Sequence, residues 1–478
     1  MYKNTMDDIL PPNKFFPDYS SLTGDRRLDR RAQDLFTRLS EQPASNISKL
    51  SSNRAEQIGY YRLLENEKFA EASLIEELVS RVKPLVAGRD VLCIEDSSEI
   101  NVSKNKNRLR PESGLGRSDN ADNVTCFKIH PGLVVDAGNC WPLGFSAVKL
   151  FHRPGEQGDR FQRNYKSLPI AEKESYKWIE VSNASKVTLE QAARVTFIQD
   201  REGDIYEQFA SIPDDKHHLL IRSRTTRRLV NGSDLYLGME SLPVAGYYSI
   251  EVQADKRKNK EKRIAQMAIC HGTFRIMRPA NLKMADYPGH ITLNCVWAQE
   301  ITPGVSEPIN WKLLTTHEVC CYEDAVKMVE WYSYRWYIEQ VFRLLKHKGF
   351  GIEDAQLESG WAIRKLILMQ LSALLKILQM NIAYSQPEGG QPIEEVFTQE
   401  EIEVLTHLNK KLQGKTAKTQ NNNNPGTTKW ATWTVGRLGG WKGYESLGPP
   451  GVICLKIGLD RLYHIIEGIK IAKDMCTG

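Results

Sequence analysis

Tyr332, Arg335, Glu339 and Lys346 stand in the pattern Tyr-x2-Arg-x3-Glu-x6-Lys inside a segment of helical spacing. At 100° per residue they fall at about 0°, 300°, 340° and 320°, one narrow stripe of a helix surface. Arg343 and Trp336 lie near that stripe, while Tyr334, Tyr337, Ile338, Val341, Leu344 and Leu345 gather on the opposite, apolar side. A carboxylate flanked by fixed cations along roughly 21 Å of helix suits a metal ion held beside a phosphate backbone. A solvated face on an ordinary amphipathic helix has the same composition, so the stripe needs partners elsewhere in the chain.

Two aspartates qualify. Residues 91–95 form a short buried-type strand run ending at Asp96, and 195–199 form a second one ended by Asp200. Taken singly, either is an ordinary turn or helix-cap residue. Three carboxylates brought together without counter-charge raise one another's pKa, so such a cluster is stable at neutral pH chiefly when it holds cations. Oxygen ligands select Mg2+, with Mn2+ as its substitute. Two such ions roughly 4 Å apart activate a water or a 3′-hydroxyl on one side of a phosphodiester and stabilise the leaving oxygen on the other. The expected chemistry is phosphoryl transfer on nucleic acid, with Asp96, Asp200 and Glu339 as catalytic and metal-holding residues. Glu202 and Asp204 follow Asp200 closely, either as outer-layer supports or as solvent-exposed acids.

The elements that must position these residues change character along the chain. From Gly24 to about residue 81 the apolar spacing is helical, and Arg26, Arg27, Arg30 and Arg31 crowd the first helix, as a solvated charge run or as a nucleic-acid docking element. Residues 91–95, 126–135 and 145–151 read as a three-strand meander, and 204–212 as a helix after Asp200. Strand patterns at 219–224, 247–254, 264–277, 290–298 and 311–314 read as an inserted β block. One long helix then runs from Glu323 and Asp324 in its first turn to Lys346 and Lys348 in its last, with Gly349 as C-cap. A helix over 398–411, a polar run at 415–428 expected to be flexible, and a helical final stretch containing Trp430 and Trp433 complete the chain.

At 478 residues, 41% hydrophobic and 26% charged, the chain predicts two to four domains with ordinary cores. A net charge of +5 is too small to establish a polyanionic partner, and local basic clusters such as Arg224, Arg227 and Arg228, or residues 256–263, matter more. Nine cysteines without a Cys-x-x-Cys pair argue against a disulfide framework or a structural zinc site and fit a reducing cytosol. The Pro-rich lead has no apolar signal core, and the longest apolar stretch, 362–384, carries Arg364, Lys365 and Lys376, so no membrane association is expected.

The run Cys93-Ile-Glu-Asp96, the run Asp200-Arg-Glu-Gly-Asp-Ile and the Tyr332, Arg335, Glu339, Lys346 set together resemble the Asp-Asp-Glu insertion-sequence transposases of the branch with the Tyr-Arg-Glu-Lys signature. Similarity extends over nearly the whole chain, including Gly24-Asp25 before the arginines, Ile221-Arg222-Ser223, Pro308-Ile-Asn-Trp311, Phe397-Thr-Gln-Glu and Arg437-Leu-Gly-Gly440. Gln340 departs from the pattern, standing where a family relative carries an acid.

The resemblance implies an α/β (α+β) protein. Its ribonuclease H-like catalytic core would span 81–385, with a β insertion at about 223–305. A helical DNA-end-binding domain at 1–80 and a helical dimerisation domain at 386–478 would flank it. It implies two Mg2+ ions held by Asp96, Asp200 and Glu339. It gives Tyr332, Arg335 and Lys346 contacts to phosphates of a transposon end, and Arg222 another DNA contact. Trp311 becomes a platform for a flipped base, worth roughly 1–3 kcal/mol, although a tryptophan in such a strand is also an ordinary core residue. Trp336 and the four N-terminal arginines join the DNA-binding set. Implied partners are double-stranded DNA, as inverted ends and as target, and a second copy of the chain, with no organic cofactor, in the cytoplasm of a bacterium at its nucleoid. The implied reaction is cut-and-paste transposition through a hairpin. Two other readings stay open: a catalytically silent end-binding repressor, and a ribonuclease H-like nuclease without strand transfer.

Overall fold

The computed structural model describes residues 16–118, 124–153, 168–252, 262–346, 348–386, 390–444 and 448–477. The Pro-rich lead over 1–15, most of the basic cluster beginning at Lys256 and the end of the strand expected over 247–254 lie outside them.

Four helices open the described chain: α1 (Arg26–Glu41), α2 (Ile47–Leu50), α3 (Arg54–Glu65) and α4 (Glu71–Ser80). Asp25 caps α1 by accepting from Arg27 N, and Thr23 donates to the buried Asp29 at 2.6 Å, so the turn before the arginines is fixed. Strands β1 (Asp90–Glu95), β2 (Ser98–Asn101), β3 (Gly116–Arg117), β4 (Thr125–Asp136) and β5 (Pro142–Phe151) follow. Helix α5 (Tyr176–Thr188), β6 (Arg194–Gln199), α6 (Tyr206–Ser211) and β7 (His217–Arg222) come next. After α7 (Leu235–Glu240) the chain lays down β8 (Gly246–Val252), β9 (Arg263–Met277), β10 (His290–Glu300) and β11 (Asn310–Thr315). Helices α8 (Tyr322–Ser333), α9 (Trp336–Leu345), α10 (Gly360–Ser385), α11 (Gln399–Leu412), α12 (Thr428–Leu438) and α13 (Val452–Thr477) finish it.

One mixed sheet of 11 strands runs in the order β2-β4-β1-β6-β7-β11-β10-β9-β8, with β3 and β5 also on β4. The β5-β4-β1 meander is antiparallel, whereas β6 pairs β1 and β7 pairs β6 in parallel. Parallel strands are covered on both faces, which is why 91–95 and 195–199 lack polar alternation and are buried. This mixed α/β arrangement with flanking helices is consistent with a ribonuclease H-like transposase core. The expected β block does not stand apart: β11 pairs β7, so β8 to β10 extend the same sheet.

Helix α10 runs through the middle, packing on α1, α3, α4, β5, α9, α12 and α13. It is long and apolar enough to cross a membrane, yet it lies inside the protein. Its polar side chains act as pegs: Arg364 on Glu71 at 2.7 Å, Lys365 on Asn66 O at 2.8 Å, Gln370 on Ser45 at 2.7 Å and Lys376 on Glu401 at 2.7 and 2.8 Å. The polar run at 415–428 is tied back rather than loose, since Asn421 N donates to Gln413 Oε1 at 2.8 Å and Asn421 Nδ2 to Trp430 O at 3.0 Å.

Candidate active site

Strands β1 and β6 run in register through Ile94 and Ile198, and two residues further on each chain reaches an aspartate, Asp96 and Asp200. Carboxyl ends of parallel strands are where open α/β sheets gather their ligands. Asp96 accepts from Ser97 N at 2.7 Å. Asp200 accepts from Glu202 N at 2.8 Å, capping a single 3-10 turn, Arg201–Gly203, before α6 rather than one helix from residue 204.

The long helix expected over 323–348 is two helices, and the break carries the third acid. Between α8 and α9 the ladder changes to three-residue spacing: Tyr334 N to Trp331 O, Arg335 N to Tyr332 O, Tyr337 N to Tyr334 O and Ile338 N to Arg335 O, all within 2.9–3.2 Å. Arg335 sits at this tightened turn. Its guanidinium donates to Asp96 Oδ2 at 2.9 Å and also to Glu339 Oε1, joining an acid just past β1 to one on α9. Glu323 and Asp324 occupy the first turn of α8 as expected. The second helix stops at Leu345, leaving Lys346 as an extended C-cap; a side chain at Gly349 would collide with Leu344 O, so the chain turns away there.

Burial pushes the Asp96 carboxyl up to about 7, and the charges of Asp200 and Glu339 push the same way against Arg335. Burial also raises Asp200, with Arg335 and Lys177 pulling against it. Arg335 is held further above its ordinary value despite its own burial, by Tyr332, Asp96 and Glu339. Two carboxylates thus meet one guanidinium, the third feels its charge and that of Lys177, and the acids outnumber these cations. Among the described residues no three His, Cys, Asp or Glu side chains form a cage for a metal by themselves. That does not conflict with the donor set, because Mg2+ is typically held by one or two carboxylates, waters and substrate phosphates. Oxygen-only donors and unbalanced negative charge fit a divalent ion, provided Arg335 turns away from Asp96 or Glu339 to free their oxygens.

The other expected site residues fall in three places. Tyr332, assigned to the polar stripe, is instead only 3% exposed. It packs edge-on against Trp311 with ring centroids 5.1 Å apart. The phenol bridges both environments, its ring in the core and its hydroxyl beside Arg222. Arg222 ends β7 and also donates to Asn310 O at 3.1 Å. Arg222, half-buried Trp311, Tyr332 and Arg335 therefore form one continuous strip beside the acids. Trp336 is 51% exposed at the start of α9. Lys346 lies at the far end of α9, partly buried and closest in charge to Glu353 and Glu99 rather than to the three acids. Arg26, Arg27 and Arg30 are exposed on α1, whereas Arg31 lies across Gly59 of α3. Gln340 is buried. Asp204 turns inward to accept from Arg224 N at 2.8 Å and from Arg227, while Glu202 faces solvent and pairs with Lys177 at 3.1 Å.

Two side chains beside the acids escaped the spacing argument. Glu95 and Gln199 immediately precede Asp96 and Asp200 and meet behind them, Gln199 Nε2 donating to Glu95 Oε2 at 2.7 Å. A signal was present, since each is the one hydrogen-bonding amide or acid closing an otherwise apolar run.

Residues 22–69 match the family described as transposase DNA-binding, and residues 246–376 match the transposase DDE domain. The two matches support a DDE-type DNA transposase. All four N-terminal arginines fall in the first match. The DDE match takes in β8 to α9, with Trp311, Tyr332, Arg335 and Glu339, while Asp96, Asp200 and Arg222 precede it. A DDE domain implies a metal-dependent enzyme using divalent ions, and the DNA-binding domain supports DNA as partner.

Proposed function

We propose that this chain is a cut-and-paste transposase of the Tyr-Arg-Glu-Lys branch, resembling the transposase of bacterial transposon five. It binds the inverted ends of its own element as a dimer, cuts them and joins the 3′ ends to target DNA. The observation that carries this reading is the Arg335 guanidinium joining Asp96, 239 positions away in sequence, to Glu339, with the charge of Asp200 felt at the same point.

Asp96, Asp200 and Glu339 would hold Mg2+, or Mn2+ in its place, as two ions. Bound there, the ions supply activation of the attacking oxygen and neutralise charge on the leaving one. Arg335 leaves the acids for a DNA phosphate, a bidentate match for its planar fork. Tyr332 and Arg222 extend the same phosphate track, Trp311 offers its exposed face to an unstacked base, and Lys346 meets the backbone further along α9. Exposed Arg26, Arg27 and Arg30, with Arg31 and Trp336 in support, grip the duplex outside the cut.

Four in-line displacements at phosphorus follow, differing only in nucleophile. Water attacks first and expels a 3′-hydroxyl. That hydroxyl attacks the opposite strand, closing a hairpin and releasing the flanking DNA. A second water reopens the hairpin at the same linkage, and the regenerated 3′-hydroxyl attacks a target phosphate, expelling a target 3′-oxygen.

The test is incubation with DNA carrying the element's own inverted ends and Mg2+. Wild type cuts and Glu339→Gln does not; if both leave the DNA whole, the enzyme reading falls, and cutting without joining of pre-cleaved ends reduces it to a nuclease.

A further inference from the structure

Behind the acids lies a second, wholly buried polar cluster. Glu95 and Gln199 are both 0% exposed. Gln199 Nε2 donates to Glu95 Oε2 at 2.7 Å, Ser182 Oγ of α5 donates to Glu95 Oε1 at 3.0 Å, and Gln208 Nε2 of α6 donates to Gln199 Oε1 at 2.5 Å. On the other side of Asp96, Ser97 Oγ shares a hydrogen bond with His130 Nδ1 of β4 at 2.6 Å. Residues on both sides of Asp96, and the one before Asp200, are thus anchored side chain to side chain.

Strand pairing does not require this cluster. Five register pairs already join β1 to β6, and their side chains are apolar over most of the run. Well-packed apolar residues in place of buried polar ones are often neutral or stabilising, so a buried polar pair is best explained by what it specifies, and register is the best-attested case. A slip of one residue turns every side chain of the slipped strand to the other face, which would part Glu95 from Gln199 and turn one aspartate away from the other. Successive side chains alternate, so the clasp sits on one face of the sheet and fixes what the next residue presents on the other. Gly203 belongs to the same device, because a side chain there would collide with Gln199 Oε1.

We propose that Glu95 and Gln199 are positioning residues whose hydrogen bond across β1 and β6 sets the separation of the Asp96 and Asp200 carboxylates, and with it their grip on divalent ions. This rests on the reading that those two aspartates hold the ions.

The experiment measures Mn2+ binding to the full-length protein mixed with pre-cleaved inverted-end DNA, by electron paramagnetic resonance. Groups supporting metal ligands typically contribute ten- to a hundredfold in affinity, so Gln199→Leu should bind Mn2+ about tenfold more weakly or worse. The reversed pair, Glu95→Gln with Gln199→Glu, should return to within about threefold of wild type, a coupling the two single changes do not predict. Should Gln199→Leu fail to fold, the isosteric Gln199→Glu, which sets two acids against each other, and its rescue by Glu95→Gln provide the same comparison. Unchanged Mn2+ affinity in the folded single variants, or a reversed pair no tighter than Gln199→Glu alone, overturns the proposal. Cleavage of inverted-end DNA is followed in parallel: wild type that binds Mn2+ yet never cuts defeats the transposase reading, while the positioning claim is still decided by the Mn2+ series.

Discussion

Charges are buried in two regions of this molecule under opposite rules. Along α10, Arg364 meets Glu71 and Lys376 meets Glu401, one cation to one anion, with carbonyls and the Tyr463 hydroxyl filling in. At the ends of β1 and β6 Asp96 and Glu339 share one guanidinium with Asp200 beside them, and burial, helped by the charges of Asp200 and Glu339, pushes Asp96 up to about 7. The first region is balanced and holds the fold together. The second is left short of positive charge, a condition that costs stability and readies the site for a cation.

That contrast can be broken from either side. The largest effect belongs to the deficient region: Glu339→Gln should lower Mg2+-dependent cleavage on the order of 10³-fold or more while end binding, followed by gel shift, persists. Next is the balanced region, where Glu401→Ala leaves Lys376 buried without its anion and should cost about 3–5 kcal/mol by denaturant unfolding. Smaller, and opposite in sign, Asp96→Asn should stabilise the metal-free protein on the order of 1–2 kcal/mol at pH 8, a value discounted from the shift because Asp96 keeps contact with water and Arg335.

The pH dependence sharpens the same point. Raised from an ordinary 3.8 to about 7, the Asp96 carboxyl holds its proton more tightly in the fold than in the unfolded chain. Its contribution therefore favours folding below about pH 4, fades as pH climbs through 7, and is level above that. The stability gap between Asp96→Asn and wild type should accordingly widen from about pH 5 to pH 8, and Mn2+ should narrow it by stabilising wild type.

Much of this was legible in the chain. Asp96 and Asp200 could be read because apolar strand runs stop at them, and Glu339 because its cationic neighbours recur at helical spacing. The break at Tyr334 and Arg335 could not, since neither Gly nor Pro marks it and the tightened turn appears only where Arg335 reaches across to Asp96. Tyr332 misled for a related reason: a helical wheel ranks it by angle, whereas its ring is claimed by Trp311 from a strand distant in sequence. Strands β8 to β10 were foreseen one by one, but their continuity with the core sheet depends on the β7 and β11 pairing, which no local pattern encodes. Pairing between distant segments is a tertiary choice.

The central helix carries one more implication, for how this protein comes apart. With α1, α3 and α4 packed on one side of α10 and α12 and α13 on another, no outer layer can peel away without baring an apolar rod 26 residues long. A chain cut short before α11 would therefore be a sticky fragment prone to aggregate, not a smaller working version of the whole.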